Sequence, residues 1–293
     1  MTRGIWFNSG GAWQEISALQ IGSNNLTAGY VKDHAGNWVK FWPNSQVVLD
    51  VTLIGGGGAG GGYDAGHPGY PGASGYRLDG TLSVKTTDAI QVYVGGGGSA
   101  GTSGTAGGAG AGGTSGGQFS GGAGGNAGPI GWSGGGGGGG GASAIIVNDV
   151  AVVVAAGGGG GGGGGWHSNG QPSQGYLDSG ATYGGGGESK GDDGGGGGGG
   201  GGGRNGGAGG LTNGGDDGAY SGSSGANLAA GCTVTTVGNE GSSGANGGDG
   251  QVQIVYTSTT GQPRFTGGTI TTDNGSITHT FTSLGVATLT GID

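Results

Sequence analysis

The apolar positions in the middle of the chain fall into short runs rich in Val, Ile and aromatic residues, which is the composition of β-strands. No stretch of ten residues shows the apolar period of about 3.6 that an amphipathic helix requires, so the pattern predicts almost no α-helix. The predicted strands are Gln46–Ile54, Ala89–Val94, Ala144–Val147, Val150–Ala156 after an Asn148-Asp149 turn, Thr233–Val237 and Gln251–Tyr256.

The N-terminal region contains one internal repeat. Residues 5–16, IWFNSGGAWQEI, and residues 30–41, YVKDHAGNWVKF, align at an offset of 25 and share apolar positions, a Gly-containing turn and a Trp. Each copy reads as a β-hairpin whose return strand begins at the Trp. Residues 1–43 are therefore predicted to form a small module of two hairpins, which ends at Pro43 because proline does not continue a central strand.

Glycine dominates the rest of the chain, with 94 of 293 residues and uninterrupted blocks at 134–141, 157–165 and 194–203. Collagen requires Gly at every third position and abundant Pro, whereas this chain has unbroken Gly blocks and only 6 Pro. A disordered Gly/Ser linker is the simplest alternative. The order of residues argues against it, because a block such as the one in VAVVVAAGGGGGGGGGW follows a strand-like run directly and stops at Trp166.

Ordered glycines need compensation, since fixing one backbone residue costs roughly 1–2 kcal/mol. A single polyproline II segment has no internal hydrogen bonds, but polyglycine segments without Cβ atoms can approach closely enough to bond to one another. At roughly 3.1 Å per residue the longer blocks would span about 28–31 Å. The expected fold is all-β with the glycine blocks bundled as polyglycine II helices, and Tyr63, Trp132 and Trp166 mark the bundle ends.

Charge and cysteine content exclude several functional classes. Eight Lys and Arg against 17 Asp and Glu give a net charge of −9, which disfavours nucleic acid as a partner. One Cys allows no intramolecular disulfide. No signal peptide or apolar membrane span is recognisable, so we expect a chain made in the host cytoplasm without membrane insertion.

Catalytic and metal-binding motifs are not apparent. The 4 His are isolated, and no glycine-rich phosphate loop is followed by a predicted helix, so we expect no enzyme and no cofactor. A glycosidase-type carboxylate pair stays a minor alternative. The acidic positions Asp192-Asp193, Asp216-Asp217 and Asp249 could bind Ca²⁺, but their spacing fits neither an EF-hand nor a nonapeptide repeat, which favours solvated turns.

The order of the motifs VTLIGGGG, IQVYVGGGG, GGGGGASAIIV, VAVVVAAGGGGGGGGG and GDGQVQIVY resembles the glycine-rich domain of bacteriophage tail-fibre and adhesin proteins, which is related to a region of some animal receptor kinases. This resemblance covers residues 46–257 and implies a β-sandwich fused to a polyglycine II bundle whose capping loops contact a host receptor. The N-terminal repeat is similar to the Trp hairpins of phage tail proteins. Residues 270–290 resemble the alternating strands that accompany such units. We therefore expect an N-terminal β-hairpin attachment module at 1–43, the glycine-rich β-sandwich and polyglycine II bundle at 44–257, and a C-terminal β segment at 258–293.

Two loops have the Tyr, Trp, His, Asn and Ser composition of recognition surfaces, and the alternative for both is that their rings only cap the bundle. A third stretch, 118–132, contains Phe119, Ile130 and Trp132, for which a side wall of the bundle is favoured. The candidate receptor-binding residues are Tyr63, His67, Tyr70 and Tyr76 in the first loop, and Trp166, His167, Asn169, Gln171, Tyr176 and Tyr183 in the second.

The functional prediction is a phage tail-fibre or tail-tip adhesin, located in the virion tail. The alternative is a purely structural virion component, such as a fibre shaft, collar or decoration protein, without receptor binding. The expected partners are a host cell-surface receptor, either an outer-membrane protein or a glycan, and other virion tail proteins, with a homotrimer as a possible assembly. Ice binding is least favoured, because Thr and Ala show no regular repeat.

Overall fold

The computed structural model describes residues 46–116, 118–171, 186, 189, 193–212, 215–229, 231–258 and 261–292, together with the backbone of six strands between residues 6 and 42. The chain divides into two compact units, residues 1–46 and residues 47–293. In the described residues every secondary-structure element is a strand and none is a helix, so the prediction of an all-β chain is confirmed.

The first unit consists of short antiparallel strand pairs. Strands β1 and β2 pair with Asn8 opposite Trp13, and strands β5 and β6 pair with Lys32 opposite Trp38, so each repeat copy forms a strand pair with its Trp in the returning strand. A third pair, β3 and β4, lies between them in sequence. The strands are β1 (Trp6–Ser9), β2 (Ala12–Glu15), β3 (Gln20–Ile21), β4 (Asn24–Asn25), β5 (Gly29–Lys32) and β6 (Trp38–Trp42).

The second unit contains two large sheets and one small strand pair. The strand order is β13-β12-β9-β19-β16 in the five-stranded sheet and β14-β8-β7-β15-β18-β17 in the six-stranded sheet, while β10 pairs with β11. The strands are β7 (Gln46–Ile54), β8 (Tyr76–Lys85), β9 (Ile90–Val94), β10 (Ser103–Thr105), β11 (Trp132–Gly134), β12 (Ser143–Val147), β13 (Val150–Ala155), β14 (Thr233–Thr236), β15 (Gln251–Thr257), β16 (Phe265–Thr266), β17 (Thr269–Asp273), β18 (Ser276–Phe281) and β19 (Gly285–Gly291).

The two large sheets pack face to face because each buries one apolar face in the same core. In β7 every second residue from Val47 to Leu53 is buried, as expected for a strand with one solvated face. Residues of the five-stranded sheet, among them Val92 and Ile145, belong to the same apolar cluster as Leu49 and Leu53. The β12–β13 hairpin turns through Asn148 and Asp149, both at positive φ, as the sequence predicted for this turn.

The C-terminal strands complete both sheets and do not form a separate segment. Strand β18 pairs with β15 in the six-stranded sheet, and β19 pairs with β9 in the five-stranded sheet. Both β9 and β15 would otherwise present an unpaired edge beside the core. The predicted boundary at residue 258 therefore separates strands that share one hydrogen-bonded sheet.

Strand β8 was not among the strands predicted from composition. Its sequence, YRLDGTLSVK, includes a central Gly and several polar residues, and only Leu78 and Val84 are buried. Its pairing with β14 begins with Thr233 opposite Asp79, near the sheet edge, where polar residues are tolerated. The structure forms a strand here because the neighbouring strands supply the hydrogen bonds, not because the segment is strongly apolar.

A buried polar cluster fastens the C-terminal strands to the core. The Tyr256 ring stacks on the ring of His279, with centroids 5.7 Å apart. The His279 Nδ1–H donates to the Gly267 carbonyl at 2.8 Å, so its Nε2 accepts from the Tyr256 hydroxyl at 3.3 Å. That hydroxyl also accepts from the backbone N–H groups of Arg264 and Phe265.

We expect the stability of the protein to fall in mildly acidic solution because of His279, which is fully buried. Burial lowers the pKa of His279, and the hydrogen bond to the Gly267 carbonyl only partly opposes this shift. A histidine with a depressed folded-state pKa contributes its full stability above the unfolded value of about 6.5, and this contribution is lost as the pH falls below it. The measurement is the free energy of unfolding at pH 7.5 and 5.5 for the wild type and His279→Gln. An equal pH dependence in both proteins would contradict the assignment.

The glycine-rich parts of the second unit form hydrogen-bonded segments outside the strands. In segment 134–142 nine consecutive N–H groups donate in strict rotation to residues of segments 156–165, 95–102 and 119–128. Its carbonyls accept, again in rotation, from three further segments. The glycine segments are residues 55–62, 68–75, 95–102, 107–115, 119–128, 134–142, 156–165, 194–203, 207–211, 218–227 and 239–250.

Close contact between these segments leaves no space for a side chain at the central positions. All residues from 134 to 142 and from 156 to 165 are buried. A Cβ added at Gly160 would lie 2.1 Å from the Gly137 carbonyl oxygen, and one at Gly140 would lie 2.2 Å from that of Gly56. These contacts explain why residues 134–141 and 157–165 are unbroken Gly runs, which a flexible linker would not require.

Candidate functional site

The glycine segments run alternately away from the two sheets and back towards them, except segment 239–250, which does both and turns at Ser243-Gly244. Segment 55–62 begins where β7 ends and segment 156–165 begins where β13 ends, whereas segment 134–142 leads into β12. The hydrogen bonds confirm these opposite directions. Successive N–H groups along segment 55–62 donate to carbonyls that come progressively earlier in segment 134–142, so the two segments are antiparallel. The loops that join outgoing and returning segments therefore gather at the end of the glycine segments far from the sheets. We call this end the tip; it comprises residues 63–67, 103–106, 129–133, 166–169, 193 and 215–217.

Hydrogen bonds connect the loops of the tip to one another. The N–H of Trp166 donates to the Asp193 carbonyl at 3.2 Å, and the N–H of His167 donates to the Asp216 carbonyl at 3.1 Å. Between side chains, His67 Nδ1 and Asn169 Oδ1 lie 3.2 Å apart. The loops are thus held to each other as well as to the segments that carry them.

Three large aromatic side chains project from separate loops of the tip. Tyr63 is 53% exposed, Trp132 is 58% exposed and Trp166 is 55% exposed, and Ile130 beside Trp132 is 62% exposed. A ring left this far in water contributes little to the fold through burial. Trp and Tyr are also the residues that most often dominate protein interfaces, so this arrangement is suited to binding a partner.

The tip is also acidic. It contains Asp64, Asp193, Asp216 and Asp217, with His67 and His167 as the nearby basic groups. Burial raises the pKa of Asp193, and the charges of Asp64 and Asp216 raise it further, while His167 acts in the opposite direction. Among the described residues no three His, Cys, Asp or Glu side chains form a group that could hold a metal ion by themselves.

The structure brings several of the candidate residues together and separates others. Tyr63, His67, Trp166, His167 and Asn169 lie in the tip. The side-chain amide of Gln171 donates to the Asn169 carbonyl at 3.0 Å, which keeps it next to the tip. Tyr176 and Tyr183 lie outside the described residues, as does Asp192 of the acidic pair.

Two candidate tyrosines of the first loop lie outside the tip: Tyr70 is directly beside it, and Tyr76 is at the opposite end of the glycine segments. Tyr70 belongs to the returning segment 68–75, where its carbonyl accepts from Gly61 and its N–H donates to Gly162. Tyr76 begins β8 and packs against the core of the two sheets. Because segment 68–75 crosses the whole length of the glycine segments, Tyr63 and Tyr76 are at opposite ends.

The sequence analysis gave Trp132 two interpretations, an end of the glycine blocks or a side wall with Phe119 and Ile130, and the structure separates Phe119 from the other two residues. Phe119 is buried near the sheets, edge-on to Tyr93 with ring centroids 5.3 Å apart. Trp132 and Ile130 are exposed at the tip. The position of a residue along the alternating segments, rather than its type, decides between the two ends.

Comparisons add no family assignment to this geometry. No protein-family model matches the chain, and no curated protein matches it. In the part of the chain that the structure describes, no helix has the length and apolar character needed to cross a membrane.

Proposed function

We propose that this chain is a receptor-binding adhesin of the bacteriophage tail-fibre type, which uses the tip to bind a molecule on the bacterial surface. The observation that carries the proposal is the exposure of Tyr63, Trp132 and Trp166 on three loops at one end of the glycine segments. Exposed aromatic clusters on a protein surface usually mark an interaction site. The virion tail would be the location of a protein with this role.

We further propose that the glycine segments are polyglycine II helices that extend directly from the strands of a β-sandwich. Each segment returns to the same neighbour at every third residue, which fits the three residues per turn of this helix. The helix has no internal hydrogen bonds, so its N–H and C=O groups are available to neighbours. The bonds between segments 134–142, 156–165 and 55–62 supply those partners.

Such a bundle suits receptor binding because it holds the tip loops in place before contact. Ordering a mobile loop on binding costs affinity, and a preorganised loop avoids much of that cost. Several tip loops are only four or five residues long and begin directly at a bonded glycine segment.

We expect Trp166→Ala and Trp132→Ala each to weaken binding to bacterial cells at least about 10-fold, because truncating a central interface Trp commonly costs about 2 kcal/mol or more. The measurement is cell-bound fluorescence of the labelled full chain over a panel of bacterial strains. Val150→Ala is the matched control, since Val150 is 63% exposed at the start of β13, outside the tip. It should bind as the wild type does.

A structural virion component would behave differently in this experiment. It would bind none of the strains, or the tip variants would retain full binding. Either result would contradict receptor binding through the tip without affecting the proposed polyglycine II bundle.

A further inference from the structure

The six-stranded sheet ends at a strand whose outer edge has no partner in the part of the chain that the structure describes. Strand β17 is last in the strand order and pairs with β18, from Thr269 opposite Thr280 to Asp273 opposite Ser276. In an antiparallel pair every second residue directs its N–H and C=O groups away from the neighbouring strand. The outer edge of β17 therefore presents backbone hydrogen-bonding groups that another strand could use.

Strand β17 lacks the features that usually prevent pairing at a sheet edge. Such features are a Lys or Pro on the strand, a bulge, or a very short strand. The sequence of β17, TITTD, has four β-branched residues and a single charge, and its register with β18 is continuous over all five positions. All five residues are exposed. The composition favours a strand, and nothing in it opposes a further neighbour.

The side of the sandwich beside β17 is also open. Ile270 lies opposite the buried His279 and so points to the core face of the sheet, yet it is 37% exposed. Gly267-Gly268, which joins β16 to β17, has no side chain to cover this face. At the other edge of the same sheet, β14 follows Ala229 and Cys232, which pack against the core. The edge that calls for a partner is therefore β17.

The sequence of β17 is complementary to itself. In an antiparallel pair of two copies centred on Thr271, each Thr271 faces the other, and Thr–Thr pairs are favourable in sheets. Ile270 then faces Thr272, and the two Ile270 side chains are diagonal neighbours within reach of each other. Thr269 faces Asp273, so no like charges are opposed. The two Asp273 residues lie about 13 Å apart along the strands, farther than the screening length of roughly 8 Å at physiological ionic strength.

We propose that β17 is a dimerisation edge, at which a second copy of this chain pairs antiparallel about a two-fold axis at Thr271. A two-fold axis uses the same surface on both copies, as this strand allows. One pair of five-residue strands is a small interface, so the dimer forms reversibly and depends on concentration. The pairing differs from the homotrimer considered from the sequence. It does not depend on receptor binding, since β17 lies in the sheet and not in the tip.

Sedimentation velocity of the full chain over a concentration series tests the proposal. We expect a monomer–dimer equilibrium that Thr271→Lys weakens at least about 10-fold, because it places two Lys side chains opposite each other. Thr233→Lys is the matched control: Thr233 is exposed in β14, at the other edge of the same sheet and opposite Asp79. It should dimerise as the wild type does. A chain that stays monomeric or forms trimers, or an equal effect of the two substitutions, would overturn the proposal.

Cysteine crosslinking tests the register of the pair. In a Cys232→Ser background, which removes the single native thiol, Thr271→Cys should give a disulfide-linked dimer on mild oxidation. Directly opposite residues have Cβ atoms about 4.5–5.5 Å apart, close to the spacing of a disulfide. Thr269→Cys is the control, because its two thiols would lie about 13 Å apart along the strands. Equal crosslinking of both variants, or none of Thr271→Cys in a chain that dimerises, would contradict the two-fold axis at Thr271.

Discussion

Replacing Gly160 with Ala is expected to destabilise the protein by about 4 kcal/mol. The added Cβ would lie 2.1 Å from the carbonyl oxygen of Gly137, which accepts a hydrogen bond from the N–H of Gly199. Overpacking a tight interior typically costs about 1–3 kcal/mol, and each backbone bond lost adds about 1 kcal/mol. The loss is a large fraction of the roughly 5–15 kcal/mol that stabilises an ordinary domain.

The matched control is Gly108→Ala in segment 107–115. There the nearest atom to the added Cβ is the side-chain oxygen of Thr102 at 3.2 Å, and no backbone atom is close. Both substitutions reduce the freedom of the unfolded chain equally, so their difference reports only packing. Chemical denaturation, together with amide exchange over residues 157–165, measures this difference in stability between the two variants. Equal stability of the two variants would mean that the segments can separate, contrary to a tightly packed bundle.

The unbroken Gly runs were informative because they identify the segments with the most neighbours. Segment 134–142 has six bonded neighbours, so a side chain at any interior position would meet a backbone carbonyl. An outer segment needs Gly only on its inward side. In PGYPGASG, residues 68–75, the added Cβ atoms of Gly69, Gly72 and Gly75 would all meet carbonyls of segment 55–62.

Gly at every third residue therefore identifies an outer glycine segment in the sequence, although the composition of such a stretch does not distinguish it from a loop. The stretch 68–75 was interpreted as part of an aromatic loop because Tyr70 lies in it and Tyr76 follows it. Its Gly positions instead assign it to the glycine segments, with Tyr70 on the outward side at 38% exposure. The spacing of Gly therefore predicts how much of a segment is surrounded by others: an unbroken run is covered on all sides, and Gly at every third residue is covered on one side.

Which loops lie at the tip was harder to predict from the sequence, because successive glycine segments run in opposite directions. Each segment therefore changes the end at which the next loop lies. Trp166 follows a single outgoing Gly run, so its position at a free end was readable from the sequence. Trp132 stands after two further segments, 107–115 and 119–128, whose bounds are obscured because Ala, Ser and Asn interrupt their glycines.

Removing the Tyr256 hydroxyl should cost about as much as disrupting the glycine segments. In Tyr256→Phe the ring keeps its place against Phe265 and His279, with centroid distances of 5.6 and 5.7 Å. The N–H groups of Arg264 and Phe265 lose their acceptor, and Nε2 of His279 loses its donor. Each buried group left unpaired costs about 1–3 kcal/mol, so we expect a loss of about 4 kcal/mol.

Tyr93→Phe is the control for this substitution, because both tyrosines are buried and pack edge-on against a Phe ring. The Tyr93 hydroxyl has a single long hydrogen bond, to Gln91 at 3.4 Å, so its removal should cost less than about 1 kcal/mol. Chemical denaturation compares the two variants. Because the Tyr256 hydroxyl joins residues 264–265 to β18 through His279, amide exchange should also accelerate in β16 and β18 of Tyr256→Phe. Similar stability losses in both variants would show that ring packing, rather than this hydroxyl, holds the C-terminal strands.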